Sequence, residues 1–86
     1  MHRFSAFEDS ALSARIERLQ RAERDLDERV RIRARQAEAE RRWVPSDPIY
    51  QRLSSVLRQV RNDLREAEQE SAKRESASEL RELAVA

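Results

Sequence analysis

An all-α fold, an antiparallel two-helix hairpin with coiled-coil-like packing, follows from three observations. Two prolines, Pro45 and Pro48, sit at the midpoint of an 86-residue chain that contains no glycine. Apolar side chains recur at heptad-like spacing on both sides of that break. Charged residues make up 41% and hydrophobic residues 38%, with 5% aromatic, a balance that suits long exposed helices and not a thick globular core. The expected organisation is one domain over residues 1–86: helix 1 over about 6–43, a turn at 44–47 and helix 2 over about 48–83.

Helix 1 has a start signal at Ser5-Ala6-Phe7-Glu8. There the Ser hydroxyl would accept from the Glu8 backbone N–H while the Glu carboxylate reaches back, so the helix is expected from near Ala6. Its seam is Leu12, Ile16, Leu19, Leu26 and Val30, spaced 4, 3, 7 and 4. Beyond Val30 the seam thins to Ala34 and Ala37, small residues that let a neighbouring helix approach closely. Trp43 and Val44 close the segment, and Pro45 ends it by pushing the preceding residue out of helical geometry.

Helix 2 restarts with Asp47 as N-cap and Pro48 in the first turn, where the missing N–H costs nothing; Ser46 is the competing cap. Its apolar face carries Ile49, Leu53, Val56, Leu57, Val60 and Leu64, continues through Ala67 and Ser71, and resumes weakly at Leu80, Leu83 and Val85. Phe4 or Phe7 is expected to pack on Leu80 or Leu83 and tie the open end shut. Two rods of about 37 residues, roughly 55 Å each, bury one seam apiece. Pairing of two hairpins into a four-helix bundle, a homodimer, is therefore expected. The pairs Glu17–Arg21, Asp25–Arg29, Asp27–Arg31, Glu38–Arg42 and Glu70–Arg74 support helicity at about 0.2–0.5 kcal/mol each.

Charge sorts about the turn. Residues 29–65 carry ten Arg against two Glu and two Asp, net +6, while residues 1–28 sum to −2 and 66–86 to −3. In a dimer that polarity favours antiparallel alignment, softly, because exposed charges are screened over about 8 Å. The basic stretch makes Arg31, Arg33, Arg35, Arg42 and Arg52 candidate contacts, together with Trp43 and Tyr50. Two readings of the aromatic pair stand open: a cap closing the core beside Ile49 and Leu53, or an exposed anchor for another protein. A hairpin with Trp at its turn is similar to the WXG100 secretion family, a resemblance that covers the architecture and one residue. Val44-Pro45 stands where that family has x-Gly, and no acidic residue lies four positions after Tyr50.

Catalysis finds little chemistry. No Cys, no Gly for a phosphate-cradling loop and a single His, His2, leave no nucleophile–base pair, no P-loop and no usual zinc ligand set, so neither an enzyme nor a cofactor is expected. Glu23 and Asp63, the acidic residues nearest the seams, suit register-setting or edge positions. The expected work is protein binding by a small adaptor, regulator or inhibitor, with an unidentified protein and a second copy as partners. A helical nucleic-acid binder using Arg29–Arg42 is the alternative. No apolar run approaches a membrane span, and a cytoplasmic location is expected. Seventeen Arg to one Lys suggests GC-rich codon usage and an accessory protein of such a bacterium or its phage.

Overall fold

The computed structural model describes Phe4 and residues 7–85 and is an antiparallel pair of helices, α1 (Asp9–Ala39) and α2 (Pro48–Val85), joined by a short 3-10 turn at Val44–Ser46. The molecule is a rod measuring 65 × 21 × 18 Å. His2, Ser5 and Ala6 lie outside the described residues. Glu8 is the N-cap of α1, with extended backbone (φ −66°, ψ 157°) and no side-chain capping bond, so the helix begins at Asp9 and not near residue 6. Phe7 sits in a turn ahead of it, its N–H donating to the Phe4 carbonyl at 3.2 Å.

The end of α1 also differs from the expectation of residue 43. The helix stops at Ala39 in a Schellman motif: the Arg41 N–H donates to Glu38 and the Arg42 N–H to Ala37, both at 2.9 Å. The motif needs a left-handed residue after the cap, a place glycine usually fills because a Cβ is penalised there. Lacking glycine, this chain puts Arg41 there at φ 58°. Arg42, lying past the helix, then binds Glu40 and not Glu38. Of the other pairs expected within helices, Asp25–Arg29 and Asp27–Arg31 form at 3.1 Å and Glu70–Arg74 at 3.0 Å.

α2 starts at Pro48 with Asp47 as its cap. The Tyr50 N–H donates to Asp47 Oδ2 at 2.8 Å, while the rival Ser46 hydroxyl donates back to the Trp43 carbonyl.

Both seams repeat without interruption at 4-3 spacing. α1 contributes Leu12, Leu19, Leu26 and Arg33, each seven apart, with Ile16, Glu23 and Val30 between them and Ala37 after; α2 contributes Leu53, Val60, Ala67 and Arg74, with Leu57, Leu64 and Ser71 between them and Tyr50 before. Leu12, Leu19, Ala37, Leu57, Leu64 and Ala67 are buried, and Ile16, Leu26, Val30, Leu53 and Val60 are half-buried. A buried leucine contributes roughly 1.5–3 kcal/mol, so a handful of them holds the pair together. Phe4, Leu12, Leu19, Leu64 and Ala67 form one cluster toward the open end, with Ile16 and Val60 against it. Val56, expected in the seam, lies seven residues from Ile49 on the outer flank of α2 and is exposed. An Asp27–Arg61 bridge at 3.3 Å ties the helices midway.

Candidate functional site

Asp47 is the hub of the turn end. Its side chain is fully buried, and four donors converge on its two oxygens. Arg33 approaches from the last turns of α1 and binds in a two-pronged fork, Nε to Oδ2 at 2.9 Å and Nη2 to Oδ1 at 2.8 Å. Arg42 donates from the Schellman turn to Oδ1, and the Tyr50 N–H completes the set from the first turn of α2. One carboxylate thus fastens the end of α1, the connecting turn and the start of α2. The Arg33 fork holds the Asp47 carboxyl far below the usual carboxylate range, the Tyr50 N–H and Arg42 adding to it against the opposing effect of burial. The Arg33 and Arg42 guanidinium groups are raised in turn, first by their hydrogen bonds to Asp47. Gln51 Nε2 donates to the Pro45 carbonyl at 2.8 Å and braces the turn further.

That anchorage engages two of the candidate arginines. Arg33, 20% exposed, and Arg42, 39% exposed, both pair with the buried Asp47. Arg31 is exposed and paired with Asp27, and Arg35 and Arg52 are exposed. Tyr50 is half-buried beside the clamp. Trp43 is 74% exposed, so the cap over the core is replaced by an indole projecting from the tip. The cause is local. Trp43 precedes the 3-10 turn with extended backbone (φ −72°, ψ 110°) and makes no side-chain cap bond, while its carbonyl accepts from the Ser46 N–H and hydroxyl.

The open end has a second charged cluster that was legible in sequence only as an i,i+4 pair. Arg74, 23% exposed, donates through Nε to Glu70 Oε1 at 3.0 Å, through Nη1 to Asp9 Oδ1 at 2.8 Å and through Nη2 to the Phe4 carbonyl at 3.2 Å. Its guanidinium is raised, first by the bond to Glu70. Among the described residues, Glu70 Oε2 and Ser54 Oγ are buried without a hydrogen-bond partner. Phe4 packs on the core cluster and meets Phe7 edge to face at 5.5 Å. Leu80 and Leu83 remain exposed, so the expected closure of the open end through them is replaced by Phe4 and Arg74.

Among the described residues, no group of three or more His, Cys, Asp or Glu side chains comes together to hold a metal ion, and no helix is long and apolar enough to cross a membrane. Comparison with family models, with curated proteins and with solved structures finds no match to this chain.

Proposed function

We propose that the chain is a non-enzymatic protein-binding module, a small helical adaptor, regulator or inhibitor. Its turn end docks on a partner protein, and its helices pair with a second copy into a four-helix bundle. The observation that carries this reading is Trp43, 74% exposed on a turn that Asp47 immobilises. A large indole held in water by a fixed backbone loses little conformational entropy on binding and removes much apolar surface from solvent, the usual economy of an interface anchor. Exposed Arg35, Arg41 and Arg52 at the same basic end favour a partner surface that is acidic around an apolar pocket. Work in the cytoplasm, in a bacterium of GC-rich genome or its phage, belongs to the same proposal. Nucleic-acid binding through residues 29–42 is the weaker reading, because Arg33 and Arg42 face inward to Asp47.

The single Trp makes the test direct. Trp43 fluorescence is expected to show water-like emission and full access to an aqueous quencher in the free protein. A partner isolated by pull-down should shift and shield that emission. Trp43→Ala should abolish capture with helicity unchanged. A partner that binds Trp43→Ala as tightly as the parent contradicts the docking surface. Retention on heparin that is lost steeply with salt, and lost on neutralising Arg31 and Arg35, would favour the nucleic-acid reading instead.

A further inference from the structure

The largest exposed apolar residues of α2 stand at its two ends. Ile49 and Val56 are 50% and 45% exposed on the turn side, and Leu80 and Leu83 are 67% and 74% exposed on the other. We infer that a second copy of this chain lies head to tail along α2, setting Ile49 and Val56 of each chain against Leu80 and Leu83 of the other. The inference deepens the self-pairing part of the proposed function and rests on it.

A single hairpin cannot cover these residues itself. Ile49 and Leu80 are 31 positions apart on one helix, about 46 Å at 1.5 Å per residue. Nor does α1 reach the far pair: it begins at Asp9, which is level with Arg74 through their 2.8 Å bridge, and α2 continues to Val85 beyond that point. Ile49 and Val56, seven apart, occupy one strip on the flank of the α2 seam; by heptad count Leu80 falls on the next strip outward and Leu83 on the one beyond. A reversed second copy brings the two distant pairs together twice, by the self-complementarity that a two-fold axis imposes.

Charge selects the same orientation and the same occupant. Residues 29–65 sum to +6 and residues 66–86 to −3. With the midpoint of Ile49 and Val56 level with the midpoint of Leu80 and Leu83 of the other chain, Ile49 lies nearest Leu83, Val56 nearest Leu80 and Arg52 level with Glu82, and each basic end overlies an acidic one. Alignment with both turns at one end would superpose two basic regions instead.

The chain has no cysteine, so single cysteines report on the geometry cleanly. Light scattering over a hundredfold range of concentration should give twice the chain mass of 10.2 kDa. Oxidising an equal mixture of Val56→Cys and Leu80→Cys chains should give a covalent dimer, while neither variant should cross-link alone. Leu80→Asp, a change at an exposed site that leaves helicity intact, should weaken dimerisation at least about tenfold. A monomer at every concentration overturns the inference, as does efficient cross-linking of Val56→Cys with itself. Trp43→Ala reports on partner docking independently: if it still abolishes partner capture while the parent is a monomer, the dimer fails and the docking surface stands.

Discussion

The two ends of the hairpin are closed by charged clusters built in opposite senses. At the turn, a fully buried acid, Asp47, is surrounded by donors from Arg33, Arg42 and the Tyr50 backbone. At the open end the hub is a base: Arg74 distributes its donors among Glu70, Asp9 and the Phe4 carbonyl, while one oxygen of the buried Glu70 has no hydrogen-bond partner. Arg33 and Arg74 occupy equivalent places, each the fourth in a seven-residue series along its helix, and each reaches an Asp at the start of the opposite helix. What differs is satisfaction and support. The turn cluster leaves no charge stranded but has a thin apolar layer behind it, Ala37 and Leu57. The open-end cluster is less complete but rests on Phe4, Leu12, Leu64 and Ala67. A small rod thus keeps its turn shut with a polar clamp and its open end shut mainly with apolar packing.

Removing the clamp is expected to have the largest effect. Asp47→Ala deletes the cap of α2 and leaves Arg33 and Arg42 facing an empty site, and thermal denaturation should show a fall in Tm of about 10 °C or more. Asp47→Asn, which keeps an acceptor for Tyr50, should fall less.

Acid should act on the same group. The folded Asp47 carboxyl titrates below the unfolded value of about 3.9, so the unfolded chain takes up the proton first. The stability that the charged carboxylate contributes is then complete above about pH 5 and is lost as pH falls toward and below the folded value. Denaturant titrations from pH 6 to pH 2 should show this loss, and Asp47→Asn should flatten it.

A change of opposite sign should come from Arg41. Its φ of 58° suits glycine, and Arg41→Gly should stabilise the protein by roughly 0.5–1 kcal/mol, the relief of a Cβ in the left-handed region less the extra freedom glycine has when unfolded. Urea midpoints measure this directly; a loss of stability would show that the Arg41 side chain contributes more than its backbone costs. The smallest global effect is expected at the open end. Arg74→Ala should lower Tm by less than half as much as Asp47→Ala, with faster amide exchange confined to the first turns of α1 and the last third of α2.

The hairpin, its antiparallel sense and the start of α2 were legible because proline, an Asx cap and 4-3 apolar spacing are local signals. The end of α1 was not. Its stop is a left-handed residue, and with no glycine in the chain nothing in Glu40-Arg41-Arg42 marks it. Arg33, expected as an outward contact, was not legible as a clamp for a different reason: it continues the Leu12, Leu19, Leu26 series, but a charged residue in a seam position is discounted unless a buried partner is known, and Asp47 reads in the sequence only as a cap. Arithmetic on the heptad could have found both Arg33 and Arg74. Trp43 could not be placed that way, because it lies past the end of α1, outside the heptad, on the extended residue that leads into the 3-10 turn.

Whether Asp47 fastens the turn end can be read from amide hydrogen exchange at Tyr50. That N–H lies in the first turn of a helix, where amides usually exchange readily, yet it donates to a buried carboxylate at 2.8 Å. Protection close to that of the most protected amides of the α2 core, lost in Asp47→Ala, is the predicted result. Exchange at Tyr50 as fast as at the last turn of α2 would contradict the clamp, and with it the rigid tip that presents Trp43.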